Sequence, residues 1–197
     1  MLHVGVNGSG GFSEDDQVRL FQVSHGVRAG DTTPPGRLPR VRTLTARRAI
    51  WIDTREGAIA LLVVDAMTIH DYPEVLALWM RIPELGVAPG FDNEDRIAAY
   101  LGRNPRLSTV ARRDDAIVGT ALCGHDGRRG SIYHLAVAPE HRHQGIATHM
   151  MARCIEQLQQ NGIHSAFLFS GHDTARQFWM SQGWPALPSI TYHHKEF

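Results

Sequence analysis

The sequence predicts an α/β domain: a mixed, mainly antiparallel sheet flanked by helices. Three observations predict it. A short run rich in branched apolar residues, "ALLVVDAM" from residue 60, is followed by two stretches with apolar residues at helical spacing. Three strand-like runs then follow one another through tight turns, which is the pattern of a meander. A longer helical stripe begins after Gly145 and leads to one more strand and a short helix.

Each element has a local reason. Residues 1–58 are rich in Gly, Thr, Pro and Arg and show no sustained periodicity, so they read as an N-terminal extension, disordered or loosely packed. Residues 28–49 hold six arginines and one acid, which also suits a basic arm for RNA or an acidic partner. The folded domain is placed at 59–197. In "DYPEVLALWMRI", Asp71 stands where it could cap, Glu74 follows three residues on and Pro73 falls in the first turn. Val75, Leu76, Trp79 and Ile82 share one helical face. The loop at 86–90 leads to "DNEDRIAAYLGR", a helix whose first turn is acidic, as the positive end of its dipole favours. "STVARRD" and "AIVGTALCGHD" read as strands joined at Asp114-Asp115, and "GRRG" turns the chain into "SIYHLAV". Ile146, Met150, Met151, Cys154, Ile155 and Leu158 form the stripe of the long helix, which Gly162 ends. "HSAFLFS", 164–170, is a strand, and "DTARQFWMSQGW" a short helix stopped by Gly183.

Composition narrows the function. Twenty basic and twenty acidic residues leave no net charge, so nothing global favours nucleic acid or an anionic membrane. Two cysteines, Cys123 and Cys154, make no disulfide framework and fit a reducing cytosol; a cytoplasmic location is expected. No apolar stretch reaches the length of a membrane span, and the N-terminus lacks the pattern of a signal peptide. Of the 12 histidines, neither His141/His143 nor His193/His194 has partners at a metal-binding spacing, so no metal is expected.

The stretch "YHLAVAPEHRHQGIATHMM" carries the chemistry. An apolar strand end runs into a basic loop and at once into a helix. The first turn of a helix offers free N–H groups and a partial positive charge. Gly145 allows close approach to the backbone and Arg142 adds a full charge, which together suit a pyrophosphate.

"LAVAPEHRHQGIA", followed about thirty residues on by "A-x-x-F-W-x-x-x-G-W", resembles the GNAT family of acyl-CoA-dependent N-acetyltransferases, and "CGHDGRRGSIYHLAV" resembles its small single-domain bacterial members. The likeness covers about residues 60–195. It implies splayed central strands and acetyl-CoA as co-substrate. Leu135, Ala136 and Val137 would pair with the pantetheine arm, and the backbone from Arg142 through His143, Gln144, Gly145, Ile146 and Ala147 to Thr148 would hold the pyrophosphate. His143 and Ala147 depart from the commonest form of the motif. His172, Phe178 and Trp179 would complete the cofactor site. His172 stands where the family often has asparagine, and Trp179 where it often has a tyrosine that protonates the leaving thiolate. An indole N–H cannot act as an acid, so Trp179 is expected to wall the channel.

Three residues are candidates for the base. Tyr133 precedes Leu135 by two, where relatives face the substrate. His134 has the proton affinity of a base, but strict alternation puts it on the opposite face of the strand. His125, with Asp126, ends the neighbouring strand. Cys123 is expected in the core. The expected activity is direct acetyl transfer to a primary amine of a small molecule or peptide, with a homodimer as a candidate assembly; a non-catalytic acyl-CoA-binding module is the alternative. The loop 83–93 is expected to shape the acceptor pocket.

Overall fold

The computed structural model describes residues 43–44, 48–53 and 60–195. A seven-stranded sheet has its strands in chain order: β1 (Thr43–Leu44), β2 (Arg48–Asp53), β3 (Ala60–Ala66), β4 (Thr109–Arg113), β5 (Ala116–His125), β6 (Gly130–Val137) and β7 (Ala166–Leu168). Neighbours from β1 to β6 are antiparallel; β6 and β7 are parallel. Connection length explains the difference. Asp114 and Asp115 both take positive φ, 50° and 65°, and close the β4–β5 hairpin in two residues. The chain from β6 to β7 passes through a 15-residue helix, and such a crossover returns a strand parallel.

The helices are α1 (Tyr72–Met80), α2 (Pro89–Asp92), α3 (Glu94–Arg103), α4 (Ile146–Gln160) and α5 (Asp173–Ser181). On one face of the sheet Val75, Leu78 and Trp79 of α1 and Ile97 of α3 pack with Val110, Leu122 and Ala136. On the other, Met151, Cys154 and Leu158 of α4 pack with Ala121, Cys123 and Ile132, and Ile146 and Met150 pack with Leu62, Val64 and Ala111. The α4 stripe is therefore the one the spacing gives, except that Ile155 is half-buried and Arg153 is buried in its place. Arg153 Nη1 donates to the Arg106 carbonyl and to Thr109 Oγ1, and burial lowers its proton affinity.

Three expectations change. Asp71 does not cap α1: it is itself helical, and its carboxylate accepts from Thr68 N and Oγ1 one turn earlier and pairs with Arg112. The short α2 occupies part of the span read as a loop, and Asn93 caps α3 by accepting from Arg96 N at 3.0 Å. Residues 48–53, assigned to the extension, pair at six positions with β3, so the sheet extends past residue 59 towards the N-terminus. Residues 1–42 of that extension lie outside the described residues.

Candidate active site

The sheet opens not between central strands, as expected, but at its β7 end, between its last two strands. β6 runs on to Val137, but its pairing with β7 stops at Ile132–Leu168. The backbone of Leu135, Ala136 and Val137 fronts a cavity of about 640 Å³ in that gap. Beyond the strand end, the N-terminus of α4 reaches the same cavity. Gly145 is its N-cap at φ 78°, no side chain caps the helix, and no acid stands in its first turn. A Cβ built on Gly145 meets nothing nearer than His149 Nε2 at 3.8 Å, so the approach to the backbone is open. Arg142 is tied back onto the strand end by an Nε bond to the Val137 carbonyl at 3.2 Å. His143 takes a positive φ of 60°, which turns the loop between them.

All but one of the residues expected at the cofactor line this cavity: Leu135, Ala136, Val137, Arg142, His143, Gly145, Ile146, Ala147, Thr148, His172, Phe178 and Trp179. Gln144 does not; its side chain turns to β4, where Oε1 accepts from Arg113 Nη1 at 2.7 Å. The wall contributed by α5 is aromatic. Trp179 is 8% exposed and meets Phe178 and Trp184 edge to face at 5.1 and 5.5 Å. Thr148 Oγ1 bonds Gln182 Oε1 at 3.1 Å, tying the start of α4 to the end of α5. Sequence reasoning did not assign Ile82, His141, Thr174 or Ala175 to this site; Glu84 and Leu85, which also line it, fall in the loop read as shaping the acceptor pocket.

The three candidates for the base are placed very differently. Tyr133 lies opposite Leu122 and is 38% exposed. Thr120 pairs with Ala136 while Leu122 pairs with Tyr133, so β6 carries one extra residue there, a β-bulge. His134 sits in it at φ 48°. Alternation therefore fails: His134 does not turn to the face opposite Tyr133 but to the same one, where α1 and α2 pack. Its ring meets Trp79 edge on at 4.6 Å, and its Nε2 lies 3.0 Å from Asp92 Oδ1.

His125 pairs with Gly130 at the far end of β6, and the structure does not bring it to the cavity. Its Nδ1 accepts from Gly127 N at 3.0 Å, and its own N–H goes to Asn104 Oδ1. Asp126 beside it accepts from Arg129 N and Arg128 N, bonds that hold its carboxyl down at about 2. Both residues shape the β5–β6 turn. Cys123 is buried in the α4-side core, where its contact with Cys154 and burial push the thiol up.

These features fit acetyl-CoA. A strand edge without a partner can bond an extended amide-bearing arm, and an uncapped helix start behind an open glycine can take phosphates. Among the described residues, no three His, Cys, Asp or Glu side chains stand together as a metal site, and no helix is long and apolar enough to cross a membrane.

Known proteins agree with this geometry. An acetyltransferase of Photorhabdus laumondii is 38% identical over 112 residues, 57% of this chain and 77% of the relative. One of Yersinia enterocolitica is 38% identical over 92 residues, 47% of this chain and 64% of the relative. Among solved structures, a predicted acetyltransferase from Clostridium acetobutylicum with acetyl-CoA superposes with a TM-score of 0.54 at 16% identity, covering 68% of this chain and 96% of its own. An aminoglycoside acetyltransferase from an uncultured soil metagenomic sample, in complex with sisomicin, gives 0.57 at 18% identity, covering 69% and 96%. The model of the acetyltransferase (GNAT) family matches residues 72–184, more than half of the chain. With the splayed sheet and the α4 cradle, that match makes this chain a member of the GNAT acetyltransferase family.

Proposed function

We propose that the protein transfers the acetyl group of acetyl-CoA directly to a primary amine on a small molecule or peptide. The observation that carries this reading is the continuity of one cavity from the free edge of β6 at Leu135–Val137 to the uncapped start of α4 at Gly145. Bound acetyl-CoA supplies a thioester, an activated acyl group whose thiol leaves readily. The chain's residues do the rest. First-turn amides of α4 and the Arg142 guanidinium hold negative charge. Backbone groups of Leu135 to Val137 align the arm and can polarise a carbonyl. Trp179 and Phe178 wall off water. The acceptor enters from the α1–α2 side, past Ile82, Glu84 and Leu85, on the face of the sheet to which His134 turns. The relative solved with sisomicin, an amine-bearing molecule, supports a small-molecule acceptor by analogy of fold.

The test is thiol release from acetyl-CoA over a panel of primary amines (tyramine, spermidine, an aminoglycoside and a lysine peptide), with calorimetry of acetyl-CoA binding alongside. Amine-dependent release supports the reading. Binding with no release for any amine favours the acyl-CoA-binding module that Trp179, in place of a phenol, also suits.

A further inference from the structure

The bulge in β6 holds a histidine against a buried carboxylate, and nothing in the cofactor cradle uses either. Four observations single the pair out. First, His134 is a non-glycine residue at φ 48°, in the left-handed region, and such strain persists only where surrounding structure enforces it. Second, the surroundings do enforce it: Trp79 Nε1 donates to Thr120 Oγ1 at 2.8 Å, and Thr120 Oγ1 donates to the His134 carbonyl at 3.2 Å. The indole of α1 thus fixes the backbone of the bulge and, edge on, the imidazole as well. Third, Asp92 is aimed. Its Oδ2 accepts from Ala88 N at 2.8 Å, its carbonyl accepts from the Tyr72 hydroxyl at 2.9 Å, and its Oδ1 is left facing the ring. At His134 Nε2 the approach is a close charge contact rather than a directed hydrogen bond. Fourth, His134 borders the cavity in sequence: it immediately precedes Leu135, the first strand residue to line it, while its own ring lies just outside that lining against Trp79.

We infer that His134 is the base that accepts the acceptor's proton and that Asp92 is the residue that positions it. The inference rests on the acetyl-transfer reading. With Nε2 turned to the carboxylate, that nitrogen carries the ring hydrogen and Nδ1 is the accepting atom, an assignment made from the surroundings. Both side chains are largely shielded, His134 at 16% and Asp92 at 10% exposed, and on the ring it is Nε2, the atom facing the carboxylate, that is buried. The amine arrives as an ammonium. One proton passes to Nδ1, directly or through one water, and then to solvent. The freed lone pair forms the N–C bond; the C–S bond breaks with its electron pair on sulfur; a second proton from the new amide nitrogen, carried by the same imidazole, ends on the thiolate. The imidazolium formed each time is opposed by Asp92. Around the ring, the titratable groups are Asp92 of α2, Tyr133 of β6 itself and, behind Asp92, Tyr72 of α1 with Glu94 nearby; Trp79 and Thr120 do not titrate.

A histidine that only anchored the α2 turn would leave pH dependence alone, so the test includes it. Full-length wild type, His134→Gln and Asp92→Asn are compared by thiol release across the amine panel from acid to alkaline pH, by calorimetry of acetyl-CoA binding, and by nitrogen–proton correlation spectra of the imidazoles in the ligand-free proteins. The spectra are expected to show His134 as the Nε2–H tautomer in wild type and a mixture in Asp92→Asn. His134→Gln is expected to lose about 10²-fold or more in kcat, with KM for acetyl-CoA within about threefold and the acidic limb of kcat/KM for the amine abolished. Asp92→Asn is expected to lose about tenfold and to move that limb to lower pH, because the imidazolium has lost its counter-charge. His134→Asn serves if the glutamine variant fails to bind acetyl-CoA. A His134 variant that binds acetyl-CoA and keeps both kcat and the acidic limb overturns the inference and leaves acetyl transfer standing. A wild type that binds acetyl-CoA and acetylates no amine overturns both.

Discussion

Arg81 and Glu140 are joined by a forked ion pair, with Nη2 of the arginine 2.7 and 2.8 Å from the two carboxylate oxygens. It links the end of α1 to the turn between β6 and α4, and so clasps the two lips of the cavity, Ile82–Leu85 on one side and His141–Arg142 on the other. Both side chains are about half exposed, and pairs of that kind contribute little to global stability. Their contribution is expected in ligand binding. Arg81→Met should leave the melting temperature nearly unchanged and weaken acetyl-CoA binding several-fold, and high salt should bring wild type towards the variant. The hydrogen bond from Arg81 holds the Glu140 carboxyl below its ordinary range. A depressed carboxyl is ionised at neutral pH, so the clasp is complete above the ordinary carboxylate range and opens as pH falls through the lowered value. Equal affinities for wild type and Arg81→Met would show that the pair takes no part in binding.

Gly145 separates two effects that one substitution would confuse. Its Cβ position is open, but its φ of 78° disfavours any side chain. Gly145→Ala should therefore cost about 1 kcal/mol of stability with a modest loss of affinity. Gly145→Glu adds a negative charge where phosphate is expected and should weaken acetyl-CoA by more than about tenfold, ~1.4 kcal/mol. Calorimetry on both variants decides. Unchanged affinity in a folded glutamate variant would move the cofactor away from α4.

Trp179 is expected to act by its bulk. Trp179→Phe keeps an aromatic wall and should leave turnover within several-fold, since a thiol of pKa about 8.5 is a tolerable leaving group. Trp179→Ala should raise KM for acetyl-CoA and cost about 3–5 kcal/mol, as removal of a buried aromatic does. Steady-state kinetics and melting curves test the pair. If Trp179→Phe alone lowers kcat by about 10²-fold with KM unchanged, the indole N–H acts in the transition state.

The boundary of the extension can be located by truncation. Removing residues 1–42 touches no described strand and should leave melting and acetyl-CoA affinity as they are. Removing 1–58 also deletes β2, whose six register pairs cover one edge of β3. That variant should melt lower and aggregate more readily, because an uncovered strand edge is a template for pairing. Equal melting of the two truncations would show that β2 adds nothing.

The cofactor cradle was legible because its signals are local. Gly145, the basic loop and the α4 stripe follow one another within a few turns of chain, and each depends on its own backbone. The base was not legible in the same way. The side to which His134 turns depends on the bulge, and the bulge depends on Thr120 and Trp79, which are far off in sequence. Strict alternation gave the opposite face for that reason. Asp92 falls within the loop 83–93 expected to shape the acceptor pocket and at an acidic helix start, but its aim is set by Ala88 and Tyr72 and is not visible in the sequence. β2 escaped notice because "RAIWID" is short and abuts an arginine-rich span, so its strand character comes from pairing with β3. Asp71 looked like a cap because a Pro and a Glu follow it, whereas Thr68, one turn earlier, had the stronger claim on its carboxylate.

The early parting of β6 from β7 has a consequence for cohesion. Only three register pairs join β7 to β6, so that edge of the sheet has few ladder bonds of its own. A ligand whose arm bonds Leu135–Val137 fills the missing rungs and mends the sheet. Occupancy then works as structural mortar: amide protons of β7 and α5 should exchange with solvent far more slowly once acetyl-CoA is present, and the melting temperature should climb with its concentration, at 100 times Kd by the equivalent of about 2.7 kcal/mol.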